Sequence, residues 1–420
     1  MLEDEPIPVR RSWFWIGATI SVVVLTICGF AVVFCEPLLR ASAAAARLQA
    51  RGVRMDFSES RLPIEFRQIW RQVSSRKLAM TAAAVYCPTG AACQVRDDDL
   101  VHVRAFPDLT SVDLRDQVIT SAGLQHLRGL NLETLCLART QVGARAGGLT
   151  PLESLHKLRM LDLSRTKVTD DDLQSLSRLH DLRGLNLADT HVTCAGIAHL
   201  SGLIGLVSLN LDRTPVSDHI FNELAAMRTL SHLDLAGTQV TGAGSEQLAR
   251  CGLKELRLNG SALSDEGLRG IGQISTLSGL NISGTRVSPK GLSHLAGLPE
   301  LRWLNMQGPR FGDNHLAAIT ACAGLRDLKI SGSQVTRRGI RSLASLKELA
   351  SLEMDAELLK HAEVLELLTA QPKLRSLDVR LGPLTDLDLD LVQLQLGPLV
   401  RLFEVYDNHD KPGIPTLSAR

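Results

Sequence analysis

Between Leu158 and Leu179 the chain reads LRMLDLSRTKVTDDDLQSLSRL, and two hydrophobic periods meet inside it. Leu161 and Leu163 flank Asp162, the alternation of a short strand whose side chains point to opposite faces. Leu173, Leu176 and Leu179 then recur at every third residue, an apolar stripe along a helix. Thr169 and Asp170 stand between them where a helix N-cap belongs, because side-chain oxygens there accept the free N–H groups of the first turn. Strand, turn and helix fit into about two dozen residues, too few for any piece to bury its apolar face alone.

The unit repeats. Its second strand position is marked by Leu114, Leu137, Leu163, Leu187, Leu211, Leu235, Leu258, Ile282, Met306, Ile330, Met354 and Val379, in steps of 23 to 26 residues. Weaker copies flank the series at Val85/Cys87 and Phe403/Val405. A period this steady marks a solenoid, in which each unit packs only on its neighbours. The pattern LxxLxLxxTxVTDxGLxxLxxL resembles the leucine-rich repeat. The variant is similar to the bacterial kind, related to the cysteine-containing repeats of F-box/leucine-rich-repeat proteins, though no F-box precedes it here. The resemblance implies an α/β solenoid, with a curved parallel sheet on the concave side and helices on the convex side. It names no ligand.

Residues 1–12 form a polar tail ending in Arg10-Arg11. From Trp13 to Cys35 the chain carries no charge, WFWIGATISVVVLTICGFAVVFC. At about 1.5 Å per residue this run spans a hydrocarbon core of about 30 Å, and it exceeds the apolar region of a cleavable signal peptide. It therefore predicts one uncleaved transmembrane helix, residues 13–35, of signal-anchor type. Arg10 and Arg11 favour a cytosolic N-terminus, with the repeats on the non-cytoplasmic side of the cell membrane; Arg40, Arg47, Arg51 and Arg54 argue the reverse. Residues 36–83 are expected to be a helical stalk, over 37–55, and an N-terminal cap that includes the amphipathic stretch 61–73. The repeats fill 84–406, with an insertion at 144–148, and after Met354 the pattern decays as a C-terminal cap would. Residues 407–420 are expected to be a disordered tail.

With the apolar positions committed to the core, function is left to the positions between them. Thr140, Thr166, Thr190, Thr214, Thr238 and Thr285 follow their markers by three residues, with Ser261 and Ser333 as variants. Such hydroxyls satisfy backbone groups at the bend, a structural ladder. The residue between the apolar pair faces the concave side: Asp113, Cys136, Asp162, Asn186, Asn210, Asp234, Arg257, Asn281, Asn305, Lys329, Glu353 and Asp378. Oxygen ligands in a row suit calcium, but no further carboxylates converge, so no metal site is assigned. At the strand exits Asp116, Arg139, Arg165, Asp189 and Arg213 give way to Gly237, Gly260, Gly284, Gly308 and Gly332.

One aromatic stands among the concave positions, Trp303. The repeat register places Gly279 and Asn281 on the preceding strand, Asp327 and Lys329 on the next, and Glu255 with Arg257 two strands back. Buried aromatics and arginines dominate interface hot spots. The candidate partner-binding residues are thus Trp303, Arg257, Lys329, Glu255, Asp327, Asn281 and Asn305, and the opposing reading has Trp303 merely filling the space that Gly279 leaves.

Composition narrows the choice. With 46 Lys plus Arg against 45 Asp plus Glu, nothing points to nucleic acid. His126, His199 and His294 share a helix position but lie at least three repeats apart, too far to hold one zinc ion. No HExxH, GxSxG, CxxC or GxxxxGK[ST] occurs, which predicts no enzyme, no cofactor and no small-molecule substrate. Cys251 and Cys322 are three repeats apart and read as core, whereas Cys87 and Cys93 are close enough to leave pairing open. The expected function is that of a membrane-anchored interaction protein whose concave face takes a protein or peptide. The alternative is an envelope protein binding cell-wall glycan, and the scarcity of exposed aromatics speaks against it.

Overall fold

The computed structural model describes residues 36–59, 80–87, 93–143, 147–381 and 400–404. The apolar run at 13–35, the amphipathic stretch at 61–73 and the tail at 407–420 lie outside them, as does the heart of the insertion at 144–148. The chain divides into two compact units, residues 1–158 and 159–420.

In the first unit helix α1 (Glu36–Ala50) leads into strand β1 (Arg54–Glu59), which pairs antiparallel with β2 (Met80–Tyr86). The helix expected over 37–55 ends early because Gly52 turns left-handed at φ 86°. The Val53 N–H then bonds the Leu48 carbonyl at 3.2 Å and the Gly52 N–H bonds that of Gln49 at 2.9 Å, the crossed pair that satisfies a helix end. Ala44, Leu48 and Val53 are buried, and Arg51 Nε donates to Asp99 at 3.1 Å. This segment therefore packs as a cap; it does not stand clear as a stalk. Beyond it β2 pairs parallel with β3 (Ser111–Asp113), and β3 with β4 (Thr134–Cys136). Just after β2, Cys87 is joined to Cys93 by a disulfide, with their Cα atoms 5.9 Å apart.

The second unit is a parallel ladder. Its strands are β5 (Met160–Asp162), β6 (Gly184–Asn186), β7 (Ser208–Asn210), β8 (His232–Asp234), β9 (Glu255–Arg257), β10 (Gly279–Asn281), β11 (Trp303–Asn305), β12 (Asp327–Lys329), β13 (Ser351–Asp355), β14 (Ser376–Leu381) and β15 (Val400–Glu404). Each pairs in register with the next. The marker residues Leu163, Leu187, Leu211, Leu235, Leu258 and Ile282 are each 0% exposed. Opposite the strands the helical segments are short. Asp170–Leu173 is one α-turn, continued by a 3-10 turn at Gln174–Leu176. The spacing of three between apolar residues is the period of that tighter helix.

Two hydrogen-bond ladders hold the repeats. In the first, the hydroxyls of Thr140, Thr166, Thr190, Thr214, Thr238, Ser261 and Thr285 each donate to the carbonyl of the marker three residues before, at 2.6–2.7 Å. Ser333 drops out; its hydroxyl instead accepts from the Val335 N–H. In the second, an aspartate at the start of one helical segment reaches the cap residue of the next repeat. Asp170 accepts from the Thr193 N–H at 2.7 Å and from its hydroxyl at 2.6 Å. Asp97 with Thr120, Asp218 with Thr241, Asp265 with Ser288 and Asp313 with Thr336 do the same. Asp170 thus serves the neighbouring repeat's cap, whereas Asp172 accepts the Thr169 N–H of its own.

The clasp needs room. A Cβ added at Gly123, Gly196, Gly291 or Gly339 would stand 2.2–2.3 Å from the carboxylate of Asp97, Asp170, Asp265 or Asp313. The clasp is absent where another residue holds the aspartate position, as Ser121, Cys194, Gly242, Pro289 and Arg337 do, and at Cys194 the facing glycine position is taken by Ile220. The Cys194 thiol accepts the Ser217 N–H only weakly, at 3.5 Å. Cys194→Asp is therefore expected to gain nothing, although each clasp hydrogen bond elsewhere is worth about 1 kcal/mol. Equilibrium urea unfolding checks this, and a gain of about 1 kcal/mol would show that Ile220 is no obstacle.

Candidate functional site

Within β5–β12 the middle residue of each three-residue strand is buried and the two that flank it face the concave side; Leu352 of β13 and Leu377 of β14 hold the same buried place. At the outer flank run Met160, Gly184, Ser208, His232, Glu255, Gly279, Trp303, Asp327, Ser351 and Ser376. In the inner row the carboxylates and amides have local employment. Asp113, Asp162, Asn186, Asn210, Asp234, Asn281 and Asn305 each accept the backbone N–H two residues on, at 2.9–3.1 Å. Short polar side chains close turns in this way, which explains the stripe without a metal.

Trp303 sits half-buried on β11, beside Gly279 of β10 and Asp327 of β12. Its ring lies over the bare backbone of Gly279, where an added Cβ would stand 3.0 Å from Cε3. Glu255 approaches the same point from β9, with Cγ 3.4 Å away. The ring therefore fills the glycine's space and still leaves part of itself on the surface. Met160 does the same upstream, its thioether lying over Gly184 while the side chain remains largely exposed.

The charges around the ring are unevenly matched. Arg257 stands 3.7 Å from Asp234, and Lys329 is 3.0 Å from Glu353. Glu353 is buried and also accepts from the Ser331 hydroxyl at 2.7 Å and from Gln307. Asn305 is buried too, its amide turned to Gln307 at 3.1 Å, and the Asn281 amide donates to Asn259 at 3.0 Å. Asp327 differs, since its Oδ1 is buried with no hydrogen-bond partner. Burial pushes the Asp327 carboxyl above the ordinary carboxylate range; Lys329 opposes the shift, and Asp378 and Glu353 add to it. For Lys329 burial works downward, but the Glu353 bond and the charges of Glu353, Asp327 and Asp378 raise it overall.

The strand exits hold a feature that residue types alone concealed. Asp116, Arg139, Arg165, Asp189 and Arg213 all take left-handed backbone, φ 53–63°, as do Gly237, Gly260, Gly284, Gly308 and Gly332. For a residue with a Cβ this costs about 1–2 kcal/mol. The charged residues pair among themselves within each unit. In the first unit Arg139 donates to Asp116, with Nη2 at 2.7 Å. In the second, Asp189 accepts from Arg213 at 2.6 Å and from Arg165 at 2.9 Å. Arg139, Arg165 and Arg213 are thus already paired within the chain.

The Arg213 hydrogen bond, with help from Arg165 and against a push from burial, holds the Asp189 carboxyl below its ordinary value. A lowered carboxylate contributes stability that is present above the unfolded value, about 3.9, and fades as pH falls through the folded one. Asp189→Asn should cost under about 1 kcal/mol at neutral pH, because the arginines are half-exposed. Its deficit should shrink as pH falls below about 4 in urea titrations. A deficit independent of pH would mean the ladder is not ionic.

Past Arg213 the exits form a groove of about 520 Å³ lined by Gly260, Gly284, Gly308, Gly332 and Arg380. The N–H groups of Gly260, Gly284 and Gly308 are engaged there, bonded to the carbonyls of Ser283, Gln307 and Ser331 in the next repeat.

A leucine-rich-repeat family model matches residues 154–177. No curated protein matches this chain. Among solved structures, an internalin of Listeria monocytogenes is similar over 82% of this chain and 96% of its own, at 18% identity and TM-score 0.52. A leucine-rich-repeat protein of Leptospira interrogans is similar over 72% of this chain and 74% of its own, at 17% identity and TM-score 0.44. The repeat unit and the fold are those of leucine-rich-repeat proteins.

Proposed function

We propose that this chain is a membrane-anchored binding protein, with residues 13–35 as the anchor and the concave face around Trp303 as the surface that takes a protein or peptide. The observation that carries the reading is Trp303 itself: a large ring seated on glycine and partly exposed, the one aromatic ring of Phe, Tyr or Trp type on the concave row of β5–β14. Solenoids present extended surfaces of this kind. The fold is consistent with protein binding, and the anchor rests on the uncharged run in the sequence. No helix among the described residues is long and apolar enough to cross a membrane. The Cys87–Cys93 disulfide favours an oxidising, non-cytoplasmic side for the repeats.

Trp303→Ala is expected to leave the fold intact and to lower the melting temperature only modestly, because the ring packs on Gly279 at the surface and not in the core. It should weaken capture of the native partner from detergent-solubilised membranes by about 2 kcal/mol or more. Equal capture by variant and parent would remove this face from consideration. The anchor is tested separately: the mature protein should keep its N-terminus and extract only with detergent, and a soluble form starting near Ala44 would contradict it.

A further inference from the structure

Around Trp303 the concave face has more negative charge than it can neutralise. Lys329 is surrounded by Asp327, Glu353 and Asp378, one cation against three carboxylates. Of these only Glu353 lies within ion-pair distance of it, at 3.0 Å. Neither Asp327 nor Asp378 has an arginine or lysine at that distance among the described residues. On the other side of the ring, Glu255 has as its nearest basic neighbour His232, 4.0 Å away and charged only when protonated. Arg257 faces Asp234 instead. The Trp303 ring therefore lies between Glu255 and Asp327, and both carboxylates await a cation. The Oδ1 of Asp327 is closed off without a hydrogen-bond partner, so no donor among the described residues compensates this carboxylate.

We infer that this end of the concave face recognises a cationic side chain, an arginine or lysine on an extended segment of a protein partner, which lies against the Trp303 ring and pairs with Asp327. The inference rests on the concave face being the binding surface. The chemistry is specific: a guanidinium or ammonium is drawn to the face of an indole ring, and a carboxylate beside that ring strengthens the attraction and excludes acidic segments. In-register strands bring the pair together, because Trp303 and Asp327 are direct partners on β11 and β12. Lys329 then acts as a resident competitor for the same carboxylates.

The probe is a phage-displayed library of random dodecapeptides, panned against the full chain in detergent micelles. Enriched sequences should carry arginine or lysine, and their synthetic peptides should lose about tenfold or more in affinity on Asp327→Asn or Trp303→Ala. On Lys329→Gln the same peptides should bind about threefold more tightly, because the competitor is gone. Damage to the fold would weaken binding in all three variants, so the opposite sign at Lys329 separates recognition from misfolding. Peptides that depend on Trp303 but are neutral or acidic would overturn the inference and leave the concave reading standing. Peptides indifferent to Trp303→Ala would remove both. A panned pool with no enrichment over the starting library would overturn the inference as well.

Discussion

Leu211→Ala will lower the stability of the chain by about 2–5 kcal/mol, the cost of a lost buried side chain plus the cavity left behind. Leu211 is 0% exposed on the inner side of its repeat, directly after β7. Its carbonyl also receives the Thr214 hydroxyl at 2.6 Å, and its N–H bonds the carbonyl of Asp234 in the next repeat at 2.9 Å. The site cannot collapse freely, because its neighbours are pinned by these repeating bonds. In a solenoid the coupling is between neighbours, so the damage should spread over adjacent repeats first. Hydrogen exchange should show protection lost around β6–β8 at denaturant concentrations where β12–β13 remain closed. A loss below about 1 kcal/mol would mean that Leu211 is not in the core.

What was legible beforehand follows from where the physics is local. The strand at Leu161–Leu163 and the apolar stripe after it are visible because burial repeats with a fixed period. The same register placed Gly279, Asp327 and Glu255 around Trp303, since parallel in-register strands put residues one period apart side by side. In the sequence the charged strand exits show only as a change of residue type. Nothing in the letters Asp, Arg, Arg, Asp and Arg announces left-handed backbone, a conformation these residues hold where the tertiary frame imposes it and ion pairs offset part of its cost. Whether the helix Glu36–Ala50 stands free or packs is not legible in its letters, because an Ala-rich helix looks alike in both cases. What decides is the burial of Ala44, Leu48 and Val53, a long-range fact. Pairing of Cys87 with Cys93 depended likewise on a backbone path that spacing alone leaves open.

Gly267→Ala poses the sharpest contest between a local preference and a tertiary one. Gly267 lies inside the helix Asp265–Ile271, whose N-cap Ser264 accepts the Gly267 N–H at 3.2 Å. Helix propensity alone says that alanine there should stabilise by about 1 kcal/mol. The packing says otherwise. A Cβ at this position would stand 2.2 Å from the Thr241 carbonyl oxygen, 2.8 Å from the Gly242 Cα and 3.0 Å from Leu263 Cδ1. At Gly196 the obstacle is chiefly the Asp170 side chain, which can swing aside and give up its clasp. Here two of the three atoms are backbone of the preceding repeat, and moving them would open the joint between repeats. Overpacking of that kind costs about 3 kcal/mol, so the steric term outweighs the propensity and the variant should be destabilised by about 2 kcal/mol. Gly252→Ala is the control: it is exposed, its nearest such neighbour is the Arg228 carbonyl at 3.7 Å, and it should be close to neutral. Calorimetric melting of the two variants beside the parent decides the matter. A higher melting temperature for Gly267→Ala would show that the joint between these repeats yields, and that the glycine of the repeat signature is there for reasons other than room.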